Sequence, residues 1–392
     1  MTLKTNPFCL DEPLLWNYEN TKFISRKIGM IIHHSNKNFI LDISEIARLA
    51  GLPITTTHEH FKKLIRIKLI IPRSYINYRK LDLVHVHVFY KDPKINMIDK
   101  KIGITDFWTY YAKFYSCSES GIYVRYLIPL KYVSQLLMFI DKIKTAGYIN
   151  DYEIKVSEYY LENPITFDWY DFSSRKWIFK WDLWSDEIDK ASSEFEFADS
   201  KTVYELDEID LKILENLEKN PLNDLSDIAR LIGVTPQIVH YHYHKHLITN
   251  KILLGFYMDL YPFPYKAYGQ RVSSFYLVNI MFENNGSLAR YMNSIRGKTL
   301  VKSVWKNLGE DSLLIAAYLP SGEATKLLDF ILNMKQKGLA KHYKLVLLDL
   351  ETVKRNIIPY NLYNISTKEW KYNIKSYLTE IENLSDDHSI NE

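Results

Sequence analysis

Residues 240 to 246 carry four imidazoles at alternate positions, His240, His242, His244 and His246, interleaved with Tyr241, Tyr243 and Lys245. On a helix the pairs His240/His244 and His242/His246 each fall about one turn apart, a spacing that can hold a transition metal. No carboxylate or cysteine lies close in sequence to complete such a site, so no metal ligand is assigned. Imidazole also changes charge near neutrality, which opens a pH-dependent contact in which acidification strengthens anion binding. The reading preferred here is a polar helix face reaching base edges, with Gln237, His240, Tyr241, His244 and Lys245 outward. The same layout occurs 182 residues earlier, where Thr55, Thr56, His58, Glu59, Lys62 and Lys63 point outward and Thr57, Phe61 and Leu64 inward.

Other chemistry has little support. The chain has no Gly-rich phosphate loop, no His-Glu-x-x-His, no Cys-x-x-Cys and no nucleophile elbow. No catalytic residue and no cofactor is assigned, and the chain is expected not to be an enzyme. The two cysteines, Cys9 and Cys117, have no disulfide or metal spacing, which fits a reducing cytoplasm. Apolar runs are broken by charge, as at Arg125 and Lys131, so no membrane span or membrane partner is expected. Hydrophobic content of 47% and charged content of 25% are ordinary, whereas thirty tyrosines with much Ile, Lys and Asn suggest an AT-rich genome; the source is expected to be archaeal.

The net charge of +3 hides an uneven distribution. Residues 21–80 hold twelve Lys/Arg against three acids, and residues 205–271 seven against nine. Phosphate neutralisation supplies most non-specific DNA affinity, so the first stretch should anchor more strongly. Arg73, Arg79 and Lys80 fall where a wing after the first reading helix would meet phosphates.

The elements that position these residues occur twice. At an offset of 182, Ser44/Ser226, Ile46/Ile228, Ala47/Ala229, Arg48/Arg230, Leu49/Leu231 and Gly51/Gly233 match. At 191, Pro129/Pro320, Leu136/Leu327, Phe139/Phe330, Gly147/Gly338 and Tyr152/Tyr343 pair, and at 193 Trp177 answers Trp370. Two such long units argue for duplication of a whole protein, not a solenoid. In the second, Ile209, Ile213, Leu214 and Leu217 form one helical stripe. Asp224 or Ser226 can cap a second helix ending at Gly233, and Thr235 and Pro236 start a third. Strands beginning wings follow at 69–71 and 252–254. Alternation then predicts strand, helix, strand, strand, helix, strand, with strands at 274–282, 300–307, 312–319 and 342–350 and helices near 287–296 and 322–337. The first copy has strands at 83–89, 107–115, 123–128 and 152–159 and helices near 94–102 and 131–146.

The stretches Leu206–Leu214 and Ile228–His240, with Leu253–Tyr257 and Gly309–Leu313, resemble the leucine-responsive regulatory protein/AsnC family of transcription regulators. The likeness is clear over 205–350 and weaker over 23–160. It implies an α+β fold of two winged helix-turn-helix domains alternating with two ferredoxin-like βαββαβ domains, a pseudo-dimer in one chain. The family dimerises through its βαββαβ domains, so the two sheets are expected to pair within the chain. His246 stands where the family keeps a buried Leu, which Leu247 can replace.

The domains expected are an arm at 1–20, winged helices at 21–82 and 205–271, ferredoxin-like domains at 83–165 and 272–352, a Trp-rich extension and linker at 166–204, and a C-terminal extension and tail at 353–392. Within these, 185–201 reads as linker and 384–392 as disordered tail. Trp169, Trp177, Trp181 and Trp184 read as a swapped arm clamping the halves, with a partner-binding surface as the rival. The aromatic strand Phe107–Tyr115 should fill core rather than stack bases. The function expected is that of a sequence-specific double-stranded DNA-binding regulator with helices near 54–65 and 236–247 reading two unlike half-sites. Effector and homodimer stay open. One alternative is an enzyme like the siroheme decarboxylases, which share the two-domain build but carry a His-rich strand not found at 107–115 or 300–307. Another is a regulator whose second unit binds protein.

Overall fold

The computed structural model describes residues 24–94, 105–197, 202–263, 265–267, 270–379 and 381. The expected arm at 1–20, most of the helix near 94–102 and the tail at 384–392 lie outside the described residues.

The first half opens with α1 (Arg26–Asn38), α2 (Ile43–Ala50) and α3 (Ile54–Arg66). Asp42 caps α2 by accepting from the Glu45 amide at 2.7 Å, and Gly51 ends it at φ 63°, a left-handed turn that glycine makes without strain. β1 (Ile71–Ile76), β2 (Leu83–Lys91), β3 (Trp108–Tyr115) and β4 (Ser120–Pro129) precede α4 (Val133–Thr145) and β5 (Asp151–Glu162). α5 (Trp181–Lys190) leads into the second half. There α6 (Glu208–Lys219), α7 (Leu225–Ile232) and α8 (Pro236–Tyr241) follow, and α8 continues as a π-helix over His242–Ile248. β6 (Leu253–Asp259), β7 (Ser273–Phe282), α9 (Asn285–Ser294), β8 (Val301–Asn307), β9 (Ser312–Pro320), α10 (Ala324–Gln336) and β10 (Ala340–Arg355) complete the regular elements.

This is a mixed α and β fold around one closed eight-stranded sheet. Its order is β7-β9-β8-β5-β2-β4-β3-β10, with β10 returning to β7. The halves join at two antiparallel seams. β5 meets β8 (Tyr160 opposite Trp305), and β3 meets β10 (Phe114 opposite Leu348). Closure leaves no free edge for these strands. The aromatic strand β3 is buried on both faces at Tyr110, Tyr111 and Phe114, with Phe107 buried just before it, so these rings pack the core.

Each half also reaches over the other. Trp184 stacks on Phe330 at 4.5 Å and its indole N–H donates to Ser294 Oγ at 2.9 Å. From the far end of the chain, the Trp370 indole N–H donates to the Leu81 carbonyl at 2.7 Å, and Phe107 packs against it. The expected linker at 185–201 is corrected in part. Its first residues continue α5, because Trp184 and Ile188 bury one helical stripe against α9 and α10.

Candidate functional site

The two helices expected to read DNA keep the faces that periodicity predicts. On α3, Thr57, Phe61 and Leu64 are buried, while Thr55, Glu59, Lys62 and Lys63 are exposed and Thr56 and His58 half-buried. On α8 and its π extension, Val239 and Leu247 are buried and Gln237, His240, Tyr241, His244 and Lys245 are exposed. Leu247 thus fills the core position that His246 vacates. Both helices follow a left-handed glycine, Gly51 at φ 63° and Gly233 at φ 76°, which sets the turn of each helix pair.

Two assigned phosphate contacts are corrected. No hairpin wing forms around Arg73. Instead β1 pairs antiparallel with β6, Arg73 opposite Tyr257. That pairing turns Arg73 inward, where it is 9% exposed and its Nε lies 3.9 Å from Asp259 Oδ2. Arg79 lies half-buried on a single 3-10 turn, Tyr78–Leu81, and not on a wing.

The inner imidazoles also find company that sequence proximity did not offer. His242 Nδ1 and His246 Nδ1 lie 2.9 and 3.0 Å from Asp210 Oδ1, and Asp207 stands beside them. These carboxylates come from the start of α6, over thirty residues away. The Asp207-x-x-Asp210 spacing of a helix capping box was the available signal.

A second feature escaped the sequence altogether. Within the closed sheet lies a chamber in two adjoining parts of about 70 and 90 Å³, which share Arg125, Tyr160, Tyr257 and Arg355. These are smaller than drug-sized ligand sites and have room for a few waters. The chamber gathers Arg73, Arg125, Lys302 and Arg355 against Asp259, Glu162 and Glu218. Asp259 receives Lys302 Nζ at 2.5 Å and Arg355 Nη1 at 3.2 Å. Burial alone would raise its pKa, but Lys302, Arg355 and Arg73 hold it well below the carboxylate range. Burial instead pushes Glu162 and Glu218 each up to about 7. Near neutral pH four cations therefore face one fully ionised carboxylate and two partly protonated ones, a net positive interior.

The walls are aromatic, with Trp305, Tyr160 and Tyr123; His85 of β2 lines the second part, and His87 on the same strand is fully buried against Tyr123 and Trp305. His85 packs on Tyr160 at 4.6 Å, and His87 shares a 2.7 Å hydrogen bond with the Tyr123 hydroxyl and lies 4.8 Å from the Trp305 ring. Burial first, then the Arg125 charge, lowers both imidazole pKa values well below the usual range, so they are neutral. Among the described residues, both His85 nitrogens, His87 Nε2, Trp305 Nε1 and Arg73 Nη2 are buried without a hydrogen-bond partner. Buried polar groups are normally satisfied, so this set has hydrogen-bonding capacity to spare. The His-x-His alternation on β2 is visible in the sequence, outside the segments 107–115 and 300–307.

Residues 206–243 match the winged helix-turn-helix DNA-binding family, so the chain carries a winged helix-turn-helix DNA-binding domain. The HTH-type transcriptional regulator AldR of Mycobacterium tuberculosis is 28% identical over 111 residues, which are 28% of this chain and 60% of AldR, so the chain spans about three-fifths of that relative. Among solved structures, the siroheme decarboxylase NirDL aligns over 93% of this chain and 99% of its own at 11% identity and a TM-score of 0.46. Its complex with an iron-uroporphyrin III analogue aligns over 91% and 99% at 11% identity and a TM-score of 0.48. AsnC of E. coli aligns over 36% and 95% at 19% identity and a TM-score of 0.28. The expectation that the chain is not an enzyme is corrected on this finding, since structures aligning with it nearly end to end are those of an enzyme. Among the described residues, no helix is long and apolar enough to cross a membrane.

Proposed function

We propose that this chain is a sequence-specific regulator of transcription that reads duplex DNA with two unlike helices, α3 and the α8 π extension. It is a duplicated unit, each copy a helix-turn-helix with a ferredoxin-like domain; the strands that follow the two reading helices pair with each other, and the two copies pair as a dimer would. The observation that carries the reading is the exposure of both polar helix faces, Thr55 to Lys63 and Gln237 to Lys245, above buried apolar stripes. Base edges in the major groove are within reach of such short polar and basic side chains. Lys62 and Lys63 supply phosphate contacts on the first helix, where basic residues are concentrated. Footprinting of the full chain on a selected DNA tests it. Protection of two adjacent major-groove segments is expected, and protection of one, or of none, refutes two-headed reading.

The cations and rings that line the chamber favour a second reading, in which the chain acts on a carboxylate-bearing tetrapyrrole and the cavities of about 70 and 90 Å³ widen to admit it. Arg73, Arg125, Lys302 and Arg355 offer partners for carboxylates, and Trp305 and Tyr160 offer ring faces. In a decarboxylation the carbon–carboxylate bond breaks, carbon dioxide leaves and the carbon takes a proton. Incubating the full chain with siroheme and weighing the pigment by mass spectrometry tests this. Unchanged pigment, with no shift of its visible bands on mixing, removes the reading.

A further inference from the structure

We infer that Asp207, Asp210, His242 and His246 form a binding site for one divalent transition metal ion of the zinc class, which ties the first helix of the second winged domain to its reading helix. Two borderline imidazole nitrogens with two hard carboxylate oxygens form a donor set that zinc and its neighbours accept. The inference does not rest on the chain binding DNA or on its chamber.

The donor geometry carries it. Asp207 and Asp210 lock each other in a reciprocal cap. Asp207 Oδ1 accepts from the Asp210 amide at 2.9 Å, and Asp210 Oδ2 accepts from the Asp207 amide at 3.3 Å. Each carboxylate is thereby oriented by the backbone and turns its other oxygen toward the imidazoles. From Asp210 Oδ1, His242 Nδ1 and His246 Nδ1 are 2.9 and 3.0 Å away; from Asp207 Oδ2 they are 3.4 and 3.8 Å away. Four ligands held tetrahedrally at zinc distances stand about 3.3 Å from one another. The four measured separations bracket that edge, and all four donor atoms lie within 4.8 Å of each other.

Hydrogen bonding alone accounts for the cluster less well. Asp210 would take both imidazole N–H groups, His246 Nδ1 lying 3.0 and 3.1 Å from its two oxygens, while the Asp207 oxygen stays 3.8 Å from His246. The backbone supplies a second, independent sign. The reading helix leaves α geometry at His242 and runs as π-helix to Ile248, a wider turn that is frequently found at functional sites. The site is also sheltered, with Asp210 1% exposed and His242 half-buried. The backbone hydrogen bonds that hold the ligand carboxylates are the outer support metal sites need.

The outward pair His240/His244 provides the internal control. Its rings stack at 6.0 Å on the exposed face of the same helix, and the four-ligand cluster does not include it.

The test uses the purified, metal-stripped full chain titrated with Co(II) and then Zn(II). One Co(II) per chain is expected, with the visible bands of tetrahedral coordination, displaced by zinc, and zinc should raise the melting temperature. His242→Gln and Asp207→Asn should each weaken Co(II) binding at least about tenfold, while the paired change His240→Gln with His244→Gln leaves it unaltered. Asn caps a helix as well as Asp, so Asp207→Asn keeps the fold and still removes a ligand charge. A folded chain without saturable 1:1 binding overturns the inference. So does binding that survives Asp207→Asn and His242→Gln, or that vanishes with the outer pair.

Discussion

Replacing Asp259 with Asn leaves the side-chain shape nearly unchanged and removes the charge on which the chamber's cations converge. Asp259 is 4% exposed and receives Lys302 at 2.5 Å, Arg355 at 3.2 Å and Arg73 at 3.9 Å, cations delivered from β8, β10 and β1. Because the substitution is isosteric, no cavity term enters, and what remains is the cost of leaving buried cations without their counter-ion. Breaking a buried pair in this way costs about 3–5 kcal/mol. The lower end, about 3 kcal/mol, is expected, since Glu162 lines the same chamber and can ionise in compensation. Urea unfolding followed by tryptophan fluorescence measures it, the midpoint falling at unchanged slope. Adding Lys302→Met to Asp259→Asn should return part of the loss, because one orphaned cation is then gone. A single variant within about 1 kcal/mol of the parent would refute the charge argument. So would a double variant no more stable than the single one.

Three further outcomes are expected. Lys62→Ala with Lys63→Ala should weaken DNA binding and reduce the magnitude of the salt slope by about 1.8, two phosphate contacts' worth, in a fluorescence titration across salt; an unchanged slope removes both as phosphate contacts. Arg73→Ala, by contrast, should lower the urea midpoint and leave that slope untouched, since Arg73 is buried beside Asp259. Glu162 and Glu218 have folded pKa values of about 7, raised above the ordinary 4.5. The stability they contribute is complete below pH about 4.5 and is lost as pH rises through about 7, roughly 3 kcal/mol for each group. Glu162→Gln or Glu218→Gln should flatten that part of a stability-against-pH curve, and an unchanged curve would argue against burial as the cause.

Local patterning made much of this molecule legible. The apolar stripe Thr57, Phe61 and Leu64 determined which face of α3 is buried, and the glycines at 51 and 233 marked where each helix pair turns. Alternation located the strands of the sheet to within a few residues, because side chains on a pleated strand address opposite faces in strict turn. Periodicity assigns a residue to a face but does not name what that face meets. Arg73 read as a surface cation until β1 paired with β6 and turned it inward. The chamber exists only because strands far apart in the chain close into one sheet, bringing His85, Arg125, Lys302 and Arg355 around a shared interior. Likewise, the aspartates at the start of α6 approach His242 and His246 only when the first and third helices of that domain pack. Short-range order follows from side-chain type and spacing, whereas buried charge and ligand clusters arise from contacts between distant segments that close packing alone selects.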